Sequence, residues 1–168
     1  MLSRRLAVLM AAVGMVVLMG ALASVAWAAP GAPTVVSTVP PNGTSGVDPT
    51  ANIKAKFSEA MKARSINETT FKLYQGHLTY DQLNNCLVCR ESYPATVRYN
   101  ADTKTAILDP VSTLPSCTEH TAVVEGTGDG DMKAVKDRGG TPLATDYIFY
   151  FTTGSGSGSG GGGDHPCF

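Results

Sequence analysis

Charge, aromatic side chains and histidine are all scarce in this chain. Of its 168 residues 16% are charged and 7% aromatic, with three histidines and a single tryptophan. The formal charge of −1, from 13 basic and 14 acidic residues, argues against nucleic acid as a partner, which would call for a clustered basic face. The one sizeable basic grouping, Lys54, Lys56, Lys62 and Arg64, is interrupted by Glu59 and reads as the solvated outer face of a strand. No nucleophile-elbow pattern occurs, so no catalytic residue is assigned and an enzyme is not expected. Long amphipathic helical stripes are missing too, which leaves short strands as the building material. Glycine and proline, at 18 and 10 residues, supply the turns such strands need.

Residues 1–28 stand apart in composition. Arg4 and Arg5 precede an almost wholly apolar run from Leu6 to Val25, and Ala26-Trp27-Ala28 ends it with small residues in the positions a signal peptidase reads. A secretory signal peptide cleaved between Ala28 and Ala29 is expected, with the breaker Pro30-Gly31-Ala32-Pro33 just beyond. The competing reading is an uncleaved anchor, because the apolar run is long enough to span a bilayer; contact with a membrane follows only in that case. Cleavage removes two arginines and leaves 11 basic against 14 acidic residues, a net charge of −3. The mature chain is then secreted, or held at the surface or envelope of a bacterial cell.

After the leader, polar and apolar residues alternate in short runs. Ile53, Ala55 and Phe57 are apolar with Asn52, Lys54, Lys56 and Ser58 between them, the period of a half-buried strand. Further strands are expected at Pro33–Val39, Thr70–Gln75, Tyr93–Tyr99, Thr105–Asp109, His120–Glu125 and Asp146–Thr153. Asn42–Gly46 reads as a turn, Ser58–Ile66 as a place for a short helical turn, and Asn100–Lys104 as the loop of a hairpin. About seven short strands at this spacing predict an all-β sandwich. Residues 76–92 interrupt the pattern as an insertion, and 154–168, rich in glycine and serine, read as a flexible, disordered tail.

Particular residues sharpen this. Pro33-Thr34-Val35-Val36-Ser37-Thr38-Val39-Pro40, Asn42-Gly43, Gly46-Val47 and above all Phe57-Ser58-Glu59-Ala60-Met61 resemble bacterial Ig-like domains of the type named after the S-layer protein SbsA. Ser65-Ile66 to Thr70-Phe71, Tyr99-Asn100 to Lys104-Thr105, Val135-Lys136-Asp137 to Pro142-Leu143 and Asp146-Tyr147 to Phe151-Thr152-Thr153 are similar as well, so the resemblance covers about residues 33–153. It implies an Ig-like Greek-key β-sandwich used as an exported spacer or adhesion module, acting on a protein or a cell-wall glycan, without catalytic residues. Met61 is expected to cap the core. The sequence departs from the pattern in the 76–92 insertion, in a longer 126–131 loop, and at His120, which stands where the family commonly has Tyr. There a ring nitrogen is expected to replace the phenol as the hydrogen-bonding group of the corner.

Candidate chemistry centres on Cys86-Leu87-Val88-Cys89. Such a pair serves as a structural disulfide, as half of a metal site or as a redox dithiol; export favours the oxidised form, and no helix N-terminus is evident to activate a thiol. Cys117 could pair with either loop cysteine, or join His77, His120 and the loop pair in a zinc site. Cys167, in the tail, is expected to be free or to cross-link to another chain. Asp129, Asp131 and Asp137 offer oxygen ligands to calcium, although the spacing and the closing Glu of an EF-hand are missing and tight-turn chemistry accounts for them without an ion. No cofactor is expected otherwise. The second functional reading is accordingly a calcium- or carbohydrate-binding module built on the 76–92 and 126–131 loops, and the third a thiol-redox or metal-handling protein.

Overall fold

The alternation of Ile53, Ala55 and Phe57 is realised as a central strand whose three apolar side chains are almost wholly buried and whose lysines face outward. A computed structural model describes residues 31–84, 91–127, 133–155 and 167. Its strands are β1 (Val35–Val39), β2 (Thr44–Val47), β3 (Ile53–Phe57), β4 (Phe71–Gln75), β5 (Ala95–Asn100), β6 (Thr105–Pro110), β7 (Glu119–Val124) and β8 (Tyr147–Thr153). They form two four-stranded sheets in the orders β1-β3-β6-β5 and β2-β8-β7-β4. The expected sandwich is thus present, with one strand more than the sequence suggested.

The extra strand is β2, where a turn was expected. Its residues Thr44-Ser45-Gly46-Val47 lack the alternation that marks a strand, yet they lie parallel to β8, pairing Thr44 with Phe151 and Val47 with Thr153. Backbone bonds from Gly43 N–H to the Tyr150 carbonyl (2.7 Å) and from Gly154 N–H to the Val47 carbonyl (2.8 Å) fasten its two ends. Between β1 and β2 the chain changes sheet through a cis Val39–Pro40 peptide.

Between the sheets, Ile53, Phe57, Phe71, Leu73, Leu108, Val124, Phe149 and Phe151 meet as one apolar core. Full burial of such a side chain contributes about 1.5–3 kcal/mol each. Met61, at 2% exposure, closes one end of this core as expected. The β5–β6 hairpin has the anticipated register, with Val97 opposite Leu108 and Tyr99 opposite Ala106. Its loop closes through Lys104 in the left-handed region (φ 55°), a conformation that frees the Lys104 carbonyl to accept the Phe57 amide at 2.9 Å. Between Met61 and β4 lies a single 3-10 turn, Ala63–Ser65.

The outer face of the second sheet is covered by the start of the 76–92 insertion. Leu78 N–H donates to the Thr121 hydroxyl (2.9 Å), which donates in turn to the Gly76 carbonyl (2.6 Å), and the Tyr150 hydroxyl donates to the Leu78 carbonyl (3.1 Å). A short helix, α1 (Tyr80–Asn84), follows. Thr121 is fully buried by this cover although it points away from the core.

Candidate functional site

Cys117 is joined to Cys167, across a sequence separation of 50 residues and a Cα–Cα distance of 5.2 Å. This corrects two expectations. Cys117 does not pair with Cys86 or Cys89, and Cys167 is neither free nor bound to another chain. Cys117 itself adopts a left-handed backbone (φ 51°), and its amide donates to the Gly154 carbonyl at 3.2 Å. Thr153 completes this pole: its hydroxyl donates to the Pro115 carbonyl (2.6 Å) and accepts from the Thr118 amide (3.0 Å).

With Cys117 oxidised, the zinc set of His77, Cys117 and His120 is not assembled. His77 lies on the outer face, stacked on Tyr150 at a centroid distance of 4.0 Å, with Nδ1 2.9 Å from Glu119 Oε1. His120 lies inside, fully buried, against Phe151 at 5.3 Å and Tyr93 at 5.5 Å. Neither of its ring nitrogens has a hydrogen-bond partner, so the expectation of a corner bond does not hold. Burial holds the imidazole below its ordinary pKa of 6.5. The Pro115 and Tyr74 carbonyls oppose that effect, but neither is placed to accept a full hydrogen bond. A neutral, aromatic filler is what the position holds.

Cys86, Cys89, Asp129 and Asp131 lie outside the described residues. Asp137 is described, and its carboxylate is turned inward to a tight turn: Oδ1 accepts the Thr141 amide at 2.7 Å, while the backbone N–H donates to the Thr141 carbonyl at 2.8 Å. Among the described residues, no three of His, Cys, Asp and Glu gather closely enough to hold a metal ion.

The structure does bring together a set that sequence reasoning missed. Lys62 and Arg64, before and within the 3-10 turn, meet Lys133 and Lys136 around a cleft of about 300 Å³ floored by Ser65 and Thr70. Lys54 and Lys56, which the sequence grouped with Lys62 and Arg64, belong instead to the outer face of β3 and do not line it. The two halves are locked by backbone. Lys62 N–H donates to the Lys136 carbonyl (2.8 Å), Lys136 N–H donates to the Ser65 hydroxyl (2.9 Å), and Met61 and Asp137 form a β-bridge. A contact between residues some 70 positions apart has no local signal, so only the fold could reveal it.

The profile of a bacterial Ig-like domain matches residues 29–153. The chain belongs to that family. Among solved structures, PcoC, a methionine-rich copper resistance protein from Escherichia coli, superposes on this Ig-like domain with a TM-score of 0.52 at 18% identity. The match covers 73% of this chain and 98% of PcoC. The S-layer protein SbsC gives a TM-score of 0.47 at 18% identity, over 72% of this chain and 13% of SbsC. Comparison with curated protein sequences finds no match. What the Ig-like domain shares with PcoC is the fold.

Proposed function

We propose that this Ig-like domain is an exported, non-catalytic module with a structural or adhesive role at the bacterial cell surface or envelope, where it contacts a protein or a glycan. The observation that carries the reading is the unequal covering of the two sheets. The segment after β4 closes over β7 and β8, while the outer face of the β1-β3-β6-β5 sheet offers Lys56, Thr96, Arg98 and Asn100 to water. That face and the loops at the Met61 end are where a partner would engage.

Membership of the Ig-like family and the leader-like residues 1–28 support the exported setting. A methionine-based copper function is not adopted. Met61 and Met132 are the two methionines after residue 28, and Met61 is buried in the core.

Expression of the full chain in a bacterial host, with cell fractionation and N-terminal sequencing of the product, tests the proposal. The expected product begins at Ala29 and leaves the cytoplasm. Full-length protein retained in the cytoplasm overturns it.

A further inference from the structure

We propose that the cleft between the Lys62–Ser65 and Lys133–Lys136 segments binds the anionic groups of an envelope glycan, as phosphodiester or as carboxylate. The idea rests on the envelope reading above and names the ligand chemistry for it. Four of the 11 basic residues that follow residue 28 line this one cleft. The ion pairs among the described residues lie elsewhere: Lys72 with Glu125 at 2.6 Å, His77 with Glu119 at 2.9 Å and Arg98 with Asp109 at 3.6 Å. Glu68, the acidic residue closest in sequence to Arg64, faces the Val97 amide at 3.5 Å.

The neutral polar groups of the cleft are already bonded to one another. The Ser65 hydroxyl donates to the Lys62 carbonyl (2.8 Å), the Thr70 hydroxyl to the Ser65 carbonyl (2.8 Å), and the Asn67 amide group to the Arg64 carbonyl (3.2 Å). What remains to meet a ligand is positive charge, carried on backbone held from both sides. In a chain whose mature charge is −3, such a patch concentrates the field locally while the rest of the surface repels polyanions. The cleft is shallow and open, which suits a length of polymer threading across it. Exposed ammonium and guanidinium groups bind each anion weakly, so affinity is built from repeated groups along one strand.

The test uses purified mature protein and four probes: a poly(glycerol phosphate) teichoic acid, polygalacturonate, neutral dextran and single-stranded DNA. Binding is measured by calorimetry at low and at physiological salt. The expected result is binding of one or both anionic glycans, weakened by salt, with none to dextran. Preference for teichoic acid or for polygalacturonate separates phosphate from carboxylate. The double variant Lys133→Ala/Lys136→Ala should bind about tenfold or more weakly, while Val111→Glu/Ser112→Glu, at two exposed positions after β6 and with the same change of net charge, should stay within about twofold. Melting curves establish that both variants are folded. Equal loss in the two variants, no binding to either glycan at low salt, or stronger binding to DNA overturns the proposal. Because the measurement is made on purified protein, it stands or falls separately from the outcome of fractionation.

Discussion

The Tyr99 hydroxyl accepts the Met61 amide hydrogen at 2.9 Å, joining the hairpin end of β5 to the point where the chain leaves β3. The ring of Tyr99 lies edge-on to Phe57 at 6.5 Å, so one side chain both covers the core and satisfies a backbone donor that no strand partner reaches. Tyr99→Phe keeps the ring and removes the acceptor. A loss of about 1–2 kcal/mol is expected in urea unfolding, with an unchanged m-value, since the donor left behind is partly buried. An unaltered midpoint would mean that water replaces the hydroxyl at no cost.

His120 makes stability depend on pH. The group is fully buried without a hydrogen-bond partner, and its pKa in the folded state lies below the ordinary 6.5. Between the two values the unfolded chain binds the proton and the folded chain does not. The contribution is therefore fully present above about pH 6.5, falls as the pH drops through that value, and levels off below the folded pKa. His120→Phe should abolish this part of the acid dependence while keeping the stacking on Phe151 and Tyr93. Thermal melts of the two proteins across that range supply the check, and parallel pH profiles would contradict the assignment.

The Cys117–Cys167 bridge spans a sequence separation of 50, for which loop-closure entropy in the unfolded chain corresponds to about 4 kcal/mol at most. Reduction, or Cys167→Ser, should lower the melting temperature by an amount consistent with a large part of this. Peptide mapping of unreduced protein should recover the two cysteines in one linked fragment. Recovery of Cys117 linked to Cys86 or Cys89 would reverse the pairing described here.

Gly126 is packed directly against the Thr145 carbonyl, and its amide donates to Asp146 Oδ1 at 2.6 Å. A Cβ at this position would overlap the Thr145 backbone. Gly126→Ala should cost about 1–3 kcal/mol in the same urea assay, as forced overpacking does. Gly140→Ala meets no atom and strains only the local backbone, at φ +96°, which makes it the comparison for conformational cost alone.

Strand after strand, the sequence revealed the sandwich because burial imposes a period of two that shows in Ile53-Lys54-Ala55-Lys56-Phe57 and again in Tyr147 to Thr153. It did not reveal β2, whose four residues are held by hydrogen bonds to β8 rather than by an apolar face. His120 looked like a hydrogen-bonding corner because its position resembled one; its surroundings of Phe151 and Tyr93 show a ring chosen for shape. The basic cleft was invisible for a different reason. Lys62 and Lys136 come together only through long-range backbone pairing, and neither half is conspicuous on its own. In the same way Cys117 and Cys167 carry no local mark of their partnership.

The bridge at Cys117 also changes how the domain would respond to force. Tension applied at Cys167 enters the fold at the head of β7, an interior strand of its sheet, and bypasses β8. The β7–β8 hydrogen bonds are then not opened one at a time from the Thr153 end. A pull from the other side, at Thr34, meets β1 along its antiparallel pairing with β3. Pulled between Thr34 and Cys167, the domain presents to the load a β1 edge held by hydrogen bonds at one end and a covalently closed pole at the other.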